Sequence, residues 1–301
     1  MSVRGLGACA LACLIPLAAA AGQDAAAAGL TAAEIVEKNA QARGGLEAWR
    51  KIDTMVWSGH IETGSPVAPL IPFVFELKRP NKTRFELRED QDKIVRVFDG
   101  AAGWKLRASR GSVSALKPYT PAELASAREA QGIDGLLIDH QAKGIDVTLD
   151  GLDEVDGRKA YRVVATLPSG SKRRVWVDAQ TFLELKTDRE AHTSGGQRSI
   201  VSVYYRNWRA IEGLNMPMTI ETHAGDGKGA EKMVIDHVSV NPSLSDARFA
   251  RPNDLGRRHP LPGLQSAGPG DGSPPHSTAR RVPMPDAAGS ALSDFGPDPS
   301  K

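Results

Sequence analysis

Cysteine is nearly absent. The only two, Cys9 and Cys13, fall inside an N-terminal apolar stretch. If that stretch is removed, the mature chain carries none, which excludes disulfide staples and thiolate metal sites. Long apolar runs are missing downstream as well. No later segment reaches the roughly 20 residues a membrane span needs. Charge of one sign is lacking too: 38 Lys and Arg against 36 Asp and Glu leave a net +2. The basic residues are scattered, so the chain has no electrostatic footprint for nucleic acid. The densest basic run, Lys172-Arg173-Arg174, reads as a solvated strand end; an anionic lipid contact is the weaker reading.

Chemical motifs are equally scarce. The histidines are His60, His140, His192, His223, His237, His259 and His276. None makes an HExxH or other ligand spacing. No Gly-x-Ser-x-Gly supplies a nucleophile, and no glycine-rich loop supplies a phosphate cradle. Asp150, Asp153, Glu154 and Asp156 form an acidic cluster. It lacks ordered calcium spacing and reads as a solvated turn. No catalytic residue, metal or cofactor is assigned, and the chain reads as a non-enzyme.

The N-terminus has a pattern of its own. Arg4 precedes an apolar run from Leu6 to Ala21, which ends in small residues. That is the form of a secretory signal peptide, residues 1–21, cleaved near Ala20–Gly22. A flexible leader, 22–29, follows. The expected product is soluble and periplasmic. Lipidation of a cysteine is the minority alternative. Before Cys9 the apolar core would end before it began, and Ala10-Leu11-Ala12-Cys13 lacks a large apolar residue three places back.

The body of the chain is dominated by alternation. Between Thr54 and Leu106, five short runs place apolar residues on one parity and polar residues on the other. Period two means strands with one oily and one wet face. Arg79-Pro80-Asn81-Lys82 marks a hairpin, and so does Asp99-Gly100-Ala101. Ser65–Pro72, with three prolines, reads as an apolar loop. Ser112–Leu116 reads as a further short strand. From Ile145 to Val240, seven more runs are separated by tight-turn signals such as Asp156-Gly157 and Gly225-Asp226-Gly227. About a dozen consecutive strands predict an antiparallel meander, strongly curved or nearly closed so as to limit its edges.

Helices are few. Thr31-x-x-Glu34 is a capping box opening a helix over Leu30–Arg43, ended or kinked by Gly44-Gly45, with a short second helix over Leu46–Ile52. Thr120-Pro121 starts a third over Glu123–Gln131, and Ile133–His140 is a fourth. After Ala250 the chain is rich in proline and glycine and poor in apolar residues, so 251–301 is expected to be a disordered tail. The folded domain is placed at 30–250.

The oily face is the candidate site. Its residues in the first half are Met55, Trp57, Phe73, Phe75, Phe85, Leu87, Trp104 and Leu106. In the second half they are Tyr161, Val163, Val175 and Val177. Taken singly, each is an ordinary core residue. Together they exceed what four short helices can cover, and an incompletely filled concave face takes an apolar ligand.

The order of short motifs resembles a known family. Ala42-Arg43-Gly44-Gly45-Leu46 is followed by Trp57-Ser58-Gly59 and by Lys78-Arg79-Pro80-Asn81-Lys82-Thr83-Arg84. Phe98-Asp99-Gly100 and Gly103-Trp104 come next. Later come Val155 to Tyr161, Val175-Trp176-Val177-Asp178 and Gly213-Leu214-Asn215-Met216-Pro217. Over roughly Thr31 to Pro252 this resembles the outer-membrane lipoprotein-sorting proteins, related to the LolA/LolB periplasmic carriers. The resemblance implies a mainly β, α+β fold: an unclosed antiparallel barrel of about eleven strands, with helices as a lid over a hydrophobic cavity. It implies lipid or lipoprotein acyl chains as cargo and an inner- or outer-membrane protein as partner. The acyl-binding residues of the carriers do not map onto this chain one by one. A monomer is expected. The competing expectation is an envelope sensor or scaffold that docks a protein at an edge strand or at the Pro66–Pro72 loop. A lipid-acting hydrolase ranks third.

Overall fold

The computed structural model describes residues 29–63, 70–89, 92–109, 112–113, 116–130, 132–192, 198–224 and 230–252. The expected signal peptide, the leader up to residue 28 and the tail from residue 253 lie outside the described residues. Most of the proline-rich loop before Leu70 does too.

Alternation produces strands wherever it was expected. They are β1 (Thr54–Glu62), β2 (Leu70–Lys78), β3 (Lys82–Glu89), β4 (Asp92–Phe98), β5 (Gly103–Ser109), β6 (Ser112–Val113) and β7 (Lys117–Pro118). The second set is β8 (Asp146–Val155), β9 (Arg158–Thr166), β10 (Lys172–Asp178), β11 (Glu184–His192), β12 (Arg198–Ile211), β13 (Leu214–Ala224) and β14 (Ala230–Val240). They form one antiparallel sheet in the order β6-β5-β4-β3-β2-β1-β14-β13-β12-β11-β10-β9-β8, with β7 beside β5. The fourteen strands exceed the eleven that the family resemblance implied, partly because two of them hold only two residues each.

The sheet is two meanders rather than one. The first and last strands meet at its centre, where Trp57 faces Val238 and Ile61 faces Met233. The edges are therefore strands from mid-chain, and the described part of β8 pairs only with β9. The sheet is unclosed, and the segment between β7 and β8 must cross from one edge to the other. It carries Ile133 and Ile138 into a core shared by β1–β3 and β12–β14.

Three short α-helices accompany the sheet among the described residues. Helix α1 (Ala32–Ala42) opens with the expected capping box, Thr31 with Glu34. It packs Ile35 and Val36 against Val163, Val175 and Val177. Helix α2 (Leu46–Arg50) buries Trp49, whose indole donates to the Arg43 carbonyl at 2.9 Å. Gly44 has φ +108°, and a Cβ there would overlap the backbone of Gly213; only glycine permits that approach. Helix α3 (Pro121–Glu129) has its own capping box, Thr120 with Glu123.

Two local expectations are corrected. Ile133–His140 is a run of turns, not a helix. Gly135 and Asp139 both sit at positive φ there. The segment is pinned through Asp134 instead, which accepts from Arg79 at 2.6 Å and from Lys143 at 2.5 Å. Burial, opposed by Asp134, pushes the Lys143 ammonium down. Second, β2 already begins at Leu70 and includes Pro72. Pro72 sits opposite His60 of β1, while pairing to β3 begins only at Phe73, so its missing N–H costs no ladder bond. Of the strand expected over Ser112–Leu116, the described residues include β6 at Ser112–Val113, and residues 114–115 lie outside the described residues.

The other face is covered by the C-terminal segment of the domain. Phe249 and Leu244 pack on Val95, Val97 and Leu106. Arg248 pairs with Glu76, and Asp246 bridges Lys78 and Lys82 at 2.9 and 3.1 Å.

Candidate ligand-binding face

Residues opposite one another on antiparallel strands share a face, so the register shows what lines the inner side. Phe85 faces Phe75, Phe75 faces Trp57 and Trp57 faces Val238. One step along, Leu87 faces Phe73; one step back, Met55 faces Leu77. The rings form a connected group. Phe73 stacks on Phe85 at 5.7 Å, while Phe75 meets Phe85 edge-on at 5.4 Å and Trp57 edge-on at 5.6 Å. Such pairs add about 0.5–1.5 kcal/mol each beyond burial.

The second-half residues form an adjoining cluster. Val163 faces Val175 and Tyr161 faces Val177. Tyr161 stacks on Phe182 at 6.1 Å. Ten of the twelve candidates thus share the inner face. Trp104 and Leu106 do not. They face Val97 and Val95, whose parity is that of the outer side, and Leu106 lies under Phe249. The inner parity of β5 belongs to Gly103, Lys105 and Arg107.

That polar stripe is what sequence reasoning missed. Arg96 of β4 stands opposite Phe85 on the inner face and is buried. It donates to Glu123 of α3 at 2.9 Å, and Lys105 reaches the same carboxylate at 2.7 Å. Burial pushes the Glu123 carboxyl up. Lys105, the Thr120 N–H and Arg96 outweigh it and hold its pKa below the ordinary 4.5. At the other end of α3, Glu129 accepts from Ser169 at 2.6 Å, Ser171 at 2.7 Å and Arg173 at 2.5 Å. Burial pushes it up as well, and those two hydroxyls with Arg173 bring it below 4.5. Arg173, read as a solvated strand end, is thus an anchor.

Helix α3 therefore joins the two halves of the open sheet through its two carboxylates. Its N-terminal end is held on β4 and β5, its C-terminal end on the turn between β9 and β10. Asn81 also donates to the Ala127 carbonyl at 3.0 Å. The helix buries only Glu123 and Ala127, so charge and hydrogen bonds, not apolar packing, fasten it. On the opposite wall, Thr187, Val203, Thr222 and Glu231 run across β11–β14, an inner strip with polar members. The acidic cluster lies near the β8 edge. Arg162 sits between Asp150 and Asp153 at 2.8 and 2.9 Å. The Trp176 indole, the Glu154 N–H and Arg162 hold Asp153 at about 2.

Solved structures align with much of this chain at low identity. A DUF1329 family protein from Desulfovibrio piger is 14% identical, with TM-score 0.49, over 73% of this chain and 97% of that one. A LolA superfamily protein from Nitrosomonas europaea is 18% identical, with TM-score 0.48, over 74% and 98%. An outer-membrane lipoprotein-sorting domain from Vibrio parahaemolyticus is 10% identical, with TM-score 0.47, over 72% and 94%. At these scores the likeness carries no argument. No protein-family model and no curated protein matches the chain by sequence.

Proposed function

We propose that this chain is a periplasmic carrier that holds a lipid, or the acyl chains of a lipoprotein, against the inner face of its open sheet, with α3 as a displaceable lid. The supporting observation is the contrast between wall and lid. The wall is a continuous group of aromatic and aliphatic side chains, while the helix that ties the two halves together contributes a single alanine and is fastened by ions. Hydrocarbon entering along the wall gains about 0.8 kcal/mol per buried CH₂, and little apolar contact is lost when α3 moves aside. The two ends of α3 differ. The Glu129–Arg173 pair is partly exposed, at 20% and 12%, whereas Glu123 and Arg96 are at 3% and 2%. Exposed pairs contribute about 0–1 kcal/mol and broken buried ones cost about 3–5. The lid therefore swings about Glu123 and releases at Glu129.

Two measurements test the carrier reading. Native mass spectrometry of protein purified from the periplasm should show bound lipid, and a fluorescent fatty acid should be taken up. Phe75→Glu and Phe85→Glu should abolish uptake. Unchanged uptake in variants that keep the wild-type circular dichroism would remove these rings from the site.

A second reading has its own observation. Leu149 and Leu152 of the edge strand β8 are 42% and 69% exposed, beside Asp146, Asp150 and Glu154. An extended basic peptide could add to this edge as a further strand. Leu152→Lys should then lose envelope proteins that the wild type captures while lipid uptake persists. An identical captured set in both would leave the edge without a role.

A further inference from the structure

Trp57 carries the most informative loose end on the inner face. Its side chain is buried, with the residue 4% exposed, yet its Nε1 has no hydrogen-bond partner. Two other indoles are served: Trp49 donates to the Arg43 carbonyl and Trp176 to Asp153, each at 2.9 Å; the Trp208 Nε1 is unpaired like that of Trp57, but Trp57 is the one in the aromatic group of the inner face. A buried N–H left unpaired is penalised, a penalty that a phenyl ring at this position would not carry. The register partners of Trp57, Phe75 and Val238, offer no side-chain acceptor. Gly59, two residues on with the same parity, adds no side chain beside it, because β14 comes too close for a Cβ.

Building on the carrier reading, we infer that the Trp57 indole N–H donates a hydrogen bond to the cargo, and that the cargo is an acyl ester or amide rather than a bare hydrocarbon or a free fatty acid. An ester or amide carbonyl is a neutral acceptor that one N–H can serve. A carboxylate at the same depth would need a cation, and the inner-face cations Arg96, Lys105 and Arg107 already engage Glu123 and Asp92.

The test uses protein labelled with ¹⁵N at tryptophan. Its five tryptophans give five indole signals, and Trp57→Phe identifies one of them. Methyl palmitate, hexadecane and palmitate are delivered from cyclodextrin. Methyl palmitate should move the Trp57 indole proton downfield, and hexadecane should not. Trp57→Phe should weaken methyl palmitate about tenfold more than it weakens hexadecane, the size of one hydrogen bond. An unmoved indole signal with bound ester overturns the inference, as does equal weakening of ester and alkane, or palmitate binding as tightly as its ester. In each of those cases the carrier reading stands. Failure of the wild type to bind any of the three probes removes both. The signal shift is read on the wild type, so it holds even if the variant folds poorly.

Discussion

At the scale of single residues, parity decides everything. Phe75 and Trp104 are both aromatic, both on alternating strands, and both close to a hairpin. Phe75 looks inward because it stands opposite Trp57 and Phe85, and Trp104 looks outward because it stands opposite Val97. Composition treats them alike; one step of register separates them. Gly59, like Gly44, is a residue whose identity is dictated by geometry. It lies at the irregularity between Ser58 and Gly59, where β1 and β14 slip by one residue. A Cβ there would overlap the Val234 carbonyl and crowd Asp236 N and Ile235 Cα, both at 3.0 Å. Gly59→Ala should therefore destabilise the protein by about 1–3 kcal/mol, the usual range for forced overpacking. A denaturant midpoint equal to the wild type would show that β14 yields at no cost.

At the scale of elements, the helices have divided roles. Helix α1 buries isoleucine and valine among the valines of β9 and β10, so it is a fixed plug. Helix α3 buries a carboxylate, so its attachment depends on pH. Glu123 faces Arg96, Lys105 and the Thr120 N–H; Glu129 faces Arg173, Ser169 and Ser171. Both folded-state pKa values lie below 4.5. A lowered carboxylate pKa stabilises the attached state fully above the unfolded value, and the contribution is lost as pH falls through the folded value. The α3 fastening should thus be constant from pH 8 down to about 5 and weaken only below about 4.5. Amide exchange in Leu124–Glu129 should accelerate in that acid window before the β-sheet amides do. Glu129→Gln should show the faster exchange already at neutral pH. Release of α3 between pH 5 and 8 would mean that a group other than these carboxylates controls it.

At the scale of the whole molecule, the sheet depends on chain ends meeting. Strands β1 and β14 lie far apart in sequence and adjacent at the centre, so neither meander completes its inner face alone. The segment after β14 then doubles back over the outer face. Phe249 is fully buried there, with Arg248 and Asp246 tied to β2 and β3. Phe249→Ala should cost about 3–5 kcal/mol, as for other buried phenylalanines, and lower the melting temperature without changing lipid specificity. A loss below 1 kcal/mol would show that this strap adds little to the sheet. The same residue shows how far composition reaches. The proline and glycine after Ala250 lead to an expected domain boundary there, but nothing in the sequence near Phe249 says which surface it covers.

What the sequence determined by itself is local. Alternation set the strands, turn residues set the hairpins, and Thr31 and Thr120 with their glutamates set two helix starts. These are interactions within a few residues, so their signals survive in one dimension. The apolar parity of β1, β2, β3, β9 and β10 is legible in the sequence, and the register puts those residues on one shared face. Only the tertiary structure decided the rest. β4 is apolar on both parities, with Ile94 and Phe98 on one and Val95 and Val97 on the other, so its faces cannot be told apart without neighbours; β5, next to it, inherits the ambiguity. The pairing of β1 with β14 brings together residues some 180 positions apart, and no local pattern encodes it. The ion pairs of Glu123 and Glu129 look like ordinary helix charges until the sheet supplies Arg96, Lys105 and Arg173. Charge and apolarity are properties of residues, but partnership is a property of distance, and distance is settled only when the sheet has folded.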